Sequence, residues 1–137
     1  INAYPNPNNN LRGCINYIID MENFKFHYSA VIKRIVDGDT IYCDIDLGFG
    51  TILKNQNIRL YGIDSPEIKG EERLAGLDAK RFIENLLTDK EVVIVSYKDK
   101  KEKYGRYLAK IYLNDNNKWI DVNKLLIDKG LAVEYIP

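Results

Sequence analysis

Three strand-like runs in succession, each parted from the next by a glycine turn, constrain this chain more than any other feature. Residues 28–36 (Tyr-Ser-Ala-Val-Ile-Lys-Arg-Ile-Val) are rich in β-branched side chains and stop at Asp37-Gly38, a strong tight-turn pair. Residues 40–46 follow, with Ile41, Cys43 and Ile45 on one face and Thr40, Tyr42 and Asp44 on the other. Gly48-Phe49-Gly50 is the next turn, and residues 51–61 make a third run in which Ile58 and Leu60 share a face that Arg59 does not. Short turns between alternating runs leave little choice but an antiparallel meander with one face buried.

The remaining chain adds helices and strands in a telling order. Ala75, Ala79, Phe82 and Leu86 recur at helical spacing over residues 73–88, widened by Ile83 and Leu87, while Gly76 weakens the start. Residues 91–97 and 105–113 read as two more strands, separated by the charged run Lys98–Lys103 and followed by a loop at 114–117. A last helix is expected with Asp121 as N-cap, Leu125 and Leu126 inward and Gly130 just past its end. The order β-β-β-α-β-β-α predicts an α+β, mainly β fold. It is a five-stranded OB-fold Greek-key barrel with one helix between strands 3 and 4 and a C-terminal helix. Residues 1–24 differ, with an Asn- and Pro-rich start and a short apolar patch from Gly13 to Ile19. They are expected to form an extension or linker arm ahead of a domain at 25–137, with Met21 an alternative start and a protein partner the candidate for the arm.

Totals exclude several classes. Twenty basic and twenty acidic residues cancel, so any attraction for a polyanion must come from a local patch. No run of eighteen apolar residues exists and no signal-peptide pattern opens the chain, so no membrane contact is expected. Cys14 and Cys43 make no disulfide framework, and Cys43 reads as a small buried thiol. His27 stands alone, so neither a Ser-His-Asp nor a Cys-His arrangement has support. No CxxC pair and no Gly-rich phosphate loop is present.

The candidate chemistry lies in the turns. Asp39 follows the first hairpin turn and Asp64 the third strand, and in a meander those positions fall at the same end of neighbouring strands. Two carboxylates so placed repel unless a cation intervenes, and a hard divalent metal is the natural one. Asp-Gly-Asp is equally an ordinary turn sequence. The spacing is wrong for an EF-hand loop. Arg59 could be a solvated strand residue or a phosphate ligand. Glu67, after Pro66, could be a solvated loop acid or could activate a water. Arg106, after Tyr104-Gly105, could be a surface residue or a second guanidinium aimed at the same place. The lysines from Lys98 to Lys103 are either a solvated loop or a rim for phosphates.

Taken together, Val-Asp-Gly-Asp-Thr at 36–40, Arg-Leu-Tyr-Gly-Ile-Asp-Ser-Pro-Glu at 59–67 and Lys-Tyr-Gly-Arg-Tyr-Leu-Ala at 103–109 resemble the staphylococcal nuclease family. The likeness runs over about residues 28–135. It implies a calcium-dependent phosphodiesterase acting on DNA and RNA, releasing 3′-phosphate products. It makes Asp39, Asp64 and the Ser65 carbonyl the Ca2+ ligands, Glu67 the general base, Arg59 and Arg106 the phosphate-binding arginines, and Asp37 a nearby supporting acid. Lys103 and Tyr104 fall at nucleotide-contacting positions. The chain departs from the family in carrying Ser65 for threonine and a shorter, more acidic loop from Ile68 to Arg73. The family's last helix is not expected within these residues, and Tyr135 falls near a nucleotide-pocket tyrosine. The inserted segment Asp44–Gly50 lengthens a hairpin, with a place beside the site as one expectation. The rival reading is a non-catalytic OB-fold module that binds nucleic acid or protein, or a subunit of a larger assembly tethered by residues 1–24. No oligomer is implied.

Overall fold

The structure, a computed structural model, describes residues 26–101 and 105–135, with the side chains of 97–101 outside that description. The expected arm at 1–24, Cys14, Lys103 and Tyr104 therefore lie outside the described residues, as do the lysine side chains of the basic run. The meander forms as expected from β1 (Phe26–Asp37), β2 (Thr40–Gly48) and β3 (Thr51–Leu60). Thr40 pairs with Arg59, Tyr42 with Asn57 and Ile35 with Ile41. The expected face alternation holds: Ile41, Cys43, Ile58 and Leu60 are buried and Arg59 points the other way.

Two further long strands, β5 (Glu91–Lys101) and β6 (Tyr107–Asp115), close the barrel. β5 pairs antiparallel with β1, β6 antiparallel with β5, and β6 runs parallel to β3 through Ile58↔Tyr107, Arg59↔Leu108 and Leu60↔Ala109. The circuit β1-β2-β3-β6-β5-β1 is the five-stranded Greek-key barrel of an OB-fold. Its interior is aliphatic, with Ile32, Ile41, Ile58, Leu60, Ile94 and Ile111 fully buried. The unbroken apolar run of β5 has a use on both faces. Val92 and Ile94 point into the barrel, while Val93 and Val95 lie under Tyr112 and Trp119. Burial pushes the Cys43 thiol up to about 12, helped by the nearby Asp44 charge, so it is an inert core residue.

The first helix, α1 (Arg73–Leu87), sits between β3 and β5. Its buried stripe is Gly76, Ala79, Ile83 and Leu87: the expected Ala79, Ile83 and Leu87 hold, and Gly76 stands where Ala75 was expected. Ala75 is exposed and Phe82 and Leu86 are half-buried, because the helix turns its smallest residues toward the barrel and packs close to it. The second helix, α2 (Val122–Asp128), has Asp121 as its cap, the side chain accepting from the Lys124 N–H at 3.1 Å. Gly130 follows in the left-handed region (φ 72°), where glycine carries no Cβ penalty. Leu126 points inward as expected, but Leu125 is only half-buried, and its place is taken by Val122 and Asn123.

Three short strands were not anticipated. β7 (Lys118–Asp121) hairpins back on β6, and its turn uses Asn116 and Asn117 with positive φ. β4 (Ile63–Asp64) and β8 (Val133–Glu134) pair across the chain, and the Tyr135 N–H extends the contact to the Gly62 carbonyl at 2.9 Å. Two-residue strands carry no periodicity to detect. The lengthened β2–β3 hairpin ends at Phe49 and Gly50, both at positive φ. Its tip lies eight residues up β2 from Thr40, roughly 25 Å of strand, so it does not pack beside the site.

One buried polar side chain holds α2 to the barrel where β3 and β6 meet. Asn123 Oδ1 accepts from the Ile111 N–H (3.1 Å), and its Nδ2 donates to the carbonyls of Tyr61 (2.8 Å) and Ala109 (3.3 Å). Truncation would leave buried backbone groups without partners, each costing about 1–3 kcal/mol. Asn123→Ala is therefore expected to lose about 2–4 kcal/mol in urea unfolding, and a loss under about 0.5 kcal/mol would remove this clamp from the account.

Candidate active site

The site is assembled where the β1–β2 turn, the end of β3 and the segment after β4 converge. Asp37 Oδ1 accepts the Asp39 N–H at 3.0 Å, which folds the turn onto itself. Asp39 then points inward and is 7% exposed. Its Oδ2 accepts the Ser65 N–H at 2.9 Å and its Oδ1 accepts the Thr40 hydroxyl at 3.0 Å. The Leu60 N–H donates to the Asp39 carbonyl at 2.8 Å, so backbone and side chain of one residue bind both the end of β3 and the segment beyond β4.

Arg59 lies across the two acids. Its Nη1 is 3.3 Å from Asp39 Oδ2 and its Nη2 is 3.6 Å from Asp64 Oδ1. The guanidinium side chain is only 13% exposed, whereas Asp64 is half open to solvent. Thus the guanidinium of Arg59 bridges Asp39 and Asp64, the two acids that the meander argument expected at neighbouring strand ends. Arg106 joins from the start of β6: its Nη1 donates to Thr40 Oγ1 at 3.0 Å, and that hydroxyl donates on to Asp39. Thr40 is the linking residue that sequence reasoning passed over, although its place directly after Asp39 on the outward face of β2 was a usable signal.

Charge is balanced unevenly here. Burial, the hydrogen bond shared with Asp39, and the charges of Asp39 and Glu67 push the Asp37 carboxyl up to about 6. Burial also acts against the Asp39 carboxylate. Hydrogen bonds from Asp37, the Ser65 N–H and Thr40, together with the Arg59 charge, outweigh it and hold Asp39 below the usual carboxylate range. Glu67 is exposed, and its N–H donates to Glu72 Oε2 at 3.2 Å. Three carboxylates thus crowd Asp39's side of the pocket, with Asp64 at its open edge.

Small residues make this convergence possible. A Cβ on Gly38 would lie 2.7 Å from Ser65 Cβ and 2.8 Å from Ala79 Cβ. A Cβ on Gly76 would lie 2.1 Å from the Glu67 carbonyl oxygen. The glycine that seemed only to weaken α1 is where the helix receives the backbone of Glu67.

The oxygen donors suit a hard divalent cation. Asp39, Asp64 and the Ser65 carbonyl are all hard ligands, and the Ser65 hydroxyl is buried beside them without a hydrogen-bond partner. Among the described residues no group of three or more His, Cys, Asp or Glu side chains could cage a metal, so water would complete the shell of any ion held here.

The family model for "Staphylococcal nuclease homologue" matches residues 57–136, more than half of the chain. The chain belongs to this family. The matched span contains Arg59, Asp64, Ser65, Glu67 and Arg106, while Asp39 is supplied from outside it by the pairing of β2 with β3. The chain is 35% identical to an uncharacterized protein of Methanocaldococcus jannaschii over 88% of its own length and 65% of that protein's. It is also 35% identical to the thermonucleases of Staphylococcus intermedius (76% of this chain, 58% of the enzyme) and Staphylococcus hyicus (74% and 56%). It thus spans between half and two-thirds of the curated relatives it matches.

Helix propensity and close packing make opposite predictions at Gly76. Propensity alone would favour alanine by up to about 1 kcal/mol. The 2.1 Å approach to a backbone oxygen cannot be relieved by a side-chain rotation. Gly76→Ala is therefore expected to destabilise the protein by about 1–3 kcal/mol in chemical denaturation, and a gain in stability would show that the loop carrying Glu67 yields freely.

Proposed function

We propose that this domain is a calcium-dependent phosphodiesterase that hydrolyses DNA and RNA with little sequence specificity, leaving 3′-phosphate products. The observation that carries the reading is the bridge of Arg59 over Asp39 and Asp64, with Arg106 tied into it through Thr40. Membership of a nuclease family supports it.

Asp39, Asp64 and the Ser65 carbonyl would hold Ca2+, which when bound supplies positive charge facing the non-bridging oxygens of the phosphate. Arg59 and Arg106 present planar forks of N–H donors that match phosphate oxygens. Both are fixed before substrate arrives, Arg59 by its carboxylates and by donation to the Leu60 carbonyl (3.1 Å), Arg106 by Thr40. Donors so held stabilise charge as it develops without reorganising. Glu67, exposed on the loop that Gly76 admits, takes a proton from the attacking water. The new bond forms between that water oxygen and phosphorus. The bond from phosphorus to the 5′-oxygen breaks, and this oxygen leaves as a hydroxyl with a proton drawn from solvent. Because these contacts go to phosphate and not to base edges, sequence selectivity is low. Lys103 and Tyr104 are assigned to the flanking nucleotide on the same reading.

Cleavage of single- and double-stranded DNA should be abolished by chelator and restored by calcium. Glu67→Gln and Arg106→Ala should each lower kcat by about two to three orders of magnitude. Undiminished cleavage in chelator, or in both variants, would overturn the mechanism. Tight binding of DNA without any cleavage by the unaltered protein would favour the non-catalytic module instead.

A further inference from the structure

The outward face that carries Thr40 and Arg59 continues along the sheet into a second polar cluster. In register, Thr40 pairs with Arg59, and one step along on the same face Tyr42 pairs with Asn57 on β3 and with Arg34 on β1. Arg34 is exposed, and its guanidinium carbon lies 4.2 Å from the centroid of the Tyr42 ring. That contact restrains a side chain that would otherwise sample many rotamers, and it leaves the edge of the fork open for hydrogen bonds. Among the described residues Arg34 has no carboxylate partner. Beside it, Asn57 Nδ2 donates to the Tyr42 hydroxyl at 3.3 Å, while Asn57 Oδ1 is buried with no partner among the described residues. A restrained cation without a counter-charge and an orphan acceptor thus sit side by side.

The cluster has a definite length. Tyr42 is two residues along β2 from Thr40, roughly 7 Å, about one nucleotide of an extended strand. The next residue on this face, Asp44, is acidic and already satisfied. It accepts the Asn55 N–H at 2.9 Å and pairs with Lys54 at 3.5 Å. Asp46 and Glu91 line the surface depression beyond it, together with Lys33 and Lys54. A polyanion following this face from the reaction centre would meet one favourable position and then a surface of mixed charge.

The geometry points to a second nucleotide subsite at Arg34, Tyr42 and Asn57. It takes the phosphate next to the scissile one on the exposed guanidinium of Arg34, which rests on a Tyr42 ring whose hydroxyl is held by Asn57. The inference rests on the proposed nuclease reading for where the scissile phosphate lies. Its ligand class is a single polynucleotide strand carrying at least two phosphates. A dinucleoside monophosphate, with only one phosphodiester, cannot use it.

The test compares the two substrate lengths in Arg34→Ala, with thermal unfolding used to verify that the variant folds. Cleavage of a short single-stranded oligonucleotide should lose about tenfold in kcat/KM at low salt, mainly through KM, and the slope of log affinity against log salt should fall by about 1. The loss on the dinucleoside monophosphate should be several times smaller. Arg34→Lys should recover only part of the oligonucleotide effect, because an ammonium keeps the charge without the planar stack. Arg81→Ala, on the exposed face of α1, should not separate the two substrates. Equal losses on both lengths, an unchanged salt slope, or the same pattern in Arg81→Ala would overturn the subsite. Fluorescence anisotropy of a labelled oligonucleotide on the Glu67→Gln protein keeps the two readings apart. If the unaltered protein cleaves nothing yet Arg34→Ala still weakens binding with the reduced slope, the nuclease reading falls and the subsite stands. If cleavage proceeds and Arg34 changes neither measurement, the subsite alone falls.

Discussion

A single carboxylate removed from water organises this molecule. Asp39 is almost fully buried, and a charge in that position is tolerated only if hydrogen bonds and a counter-charge replace its hydration. The fold supplies them from three separate places: the Thr40 hydroxyl from β2, the Ser65 N–H from the segment after β4, and Arg59 from β3. Satisfying the carboxylate therefore brings together the elements that the proposed chemistry needs. The same bonds that pay for its burial fix Arg59 and Ser65 in space.

Acids outnumber cations at this point, and that asymmetry gives the pocket its character. Asp37 is pushed up to about 6 by burial and by its acidic neighbours Asp39 and Glu67. The protein as a whole carries no net charge, so attraction for phosphate has to be local. In the proposed reading the arginines would provide it: Arg59 and Arg106 at the centre, with Arg34 one strand position away along the sheet.

Both helices act on the site through the backbone. α1 approaches so closely that Gly38, Ala79 and Gly76 leave no room for larger side chains, and the Glu67 loop rests on the helix at Gly76. α2 grips the β3–β6 junction through Asn123, directly beneath the strand that carries Arg59. Neither helix contributes a charged group to the reaction centre. Each limits how far the strand ends and loops can drift, which matters where a displacement of about 1 Å can cost two orders of magnitude in rate.

The sequence by itself determined the five long strands, both helices and the cap at Asp121, because alternation, helical spacing and turn pairs are local signals that need no partner to be read. It also placed Asp39, Asp64, Arg59, Glu67 and Arg106 in motifs whose order carried the family resemblance. Only the tertiary structure decided that Arg59 would lie across both acids, that Arg106 would reach them through Thr40, and that Gly76 would be a contact and not a weak point. It alone produced the β4–β8 pairing and the Asn123 clamp. These are contacts between residues far apart in the chain. A two-residue strand has no period, a buried asparagine reads like any polar helix residue, and a glycine announces flexibility until the backbone pressed against it is known.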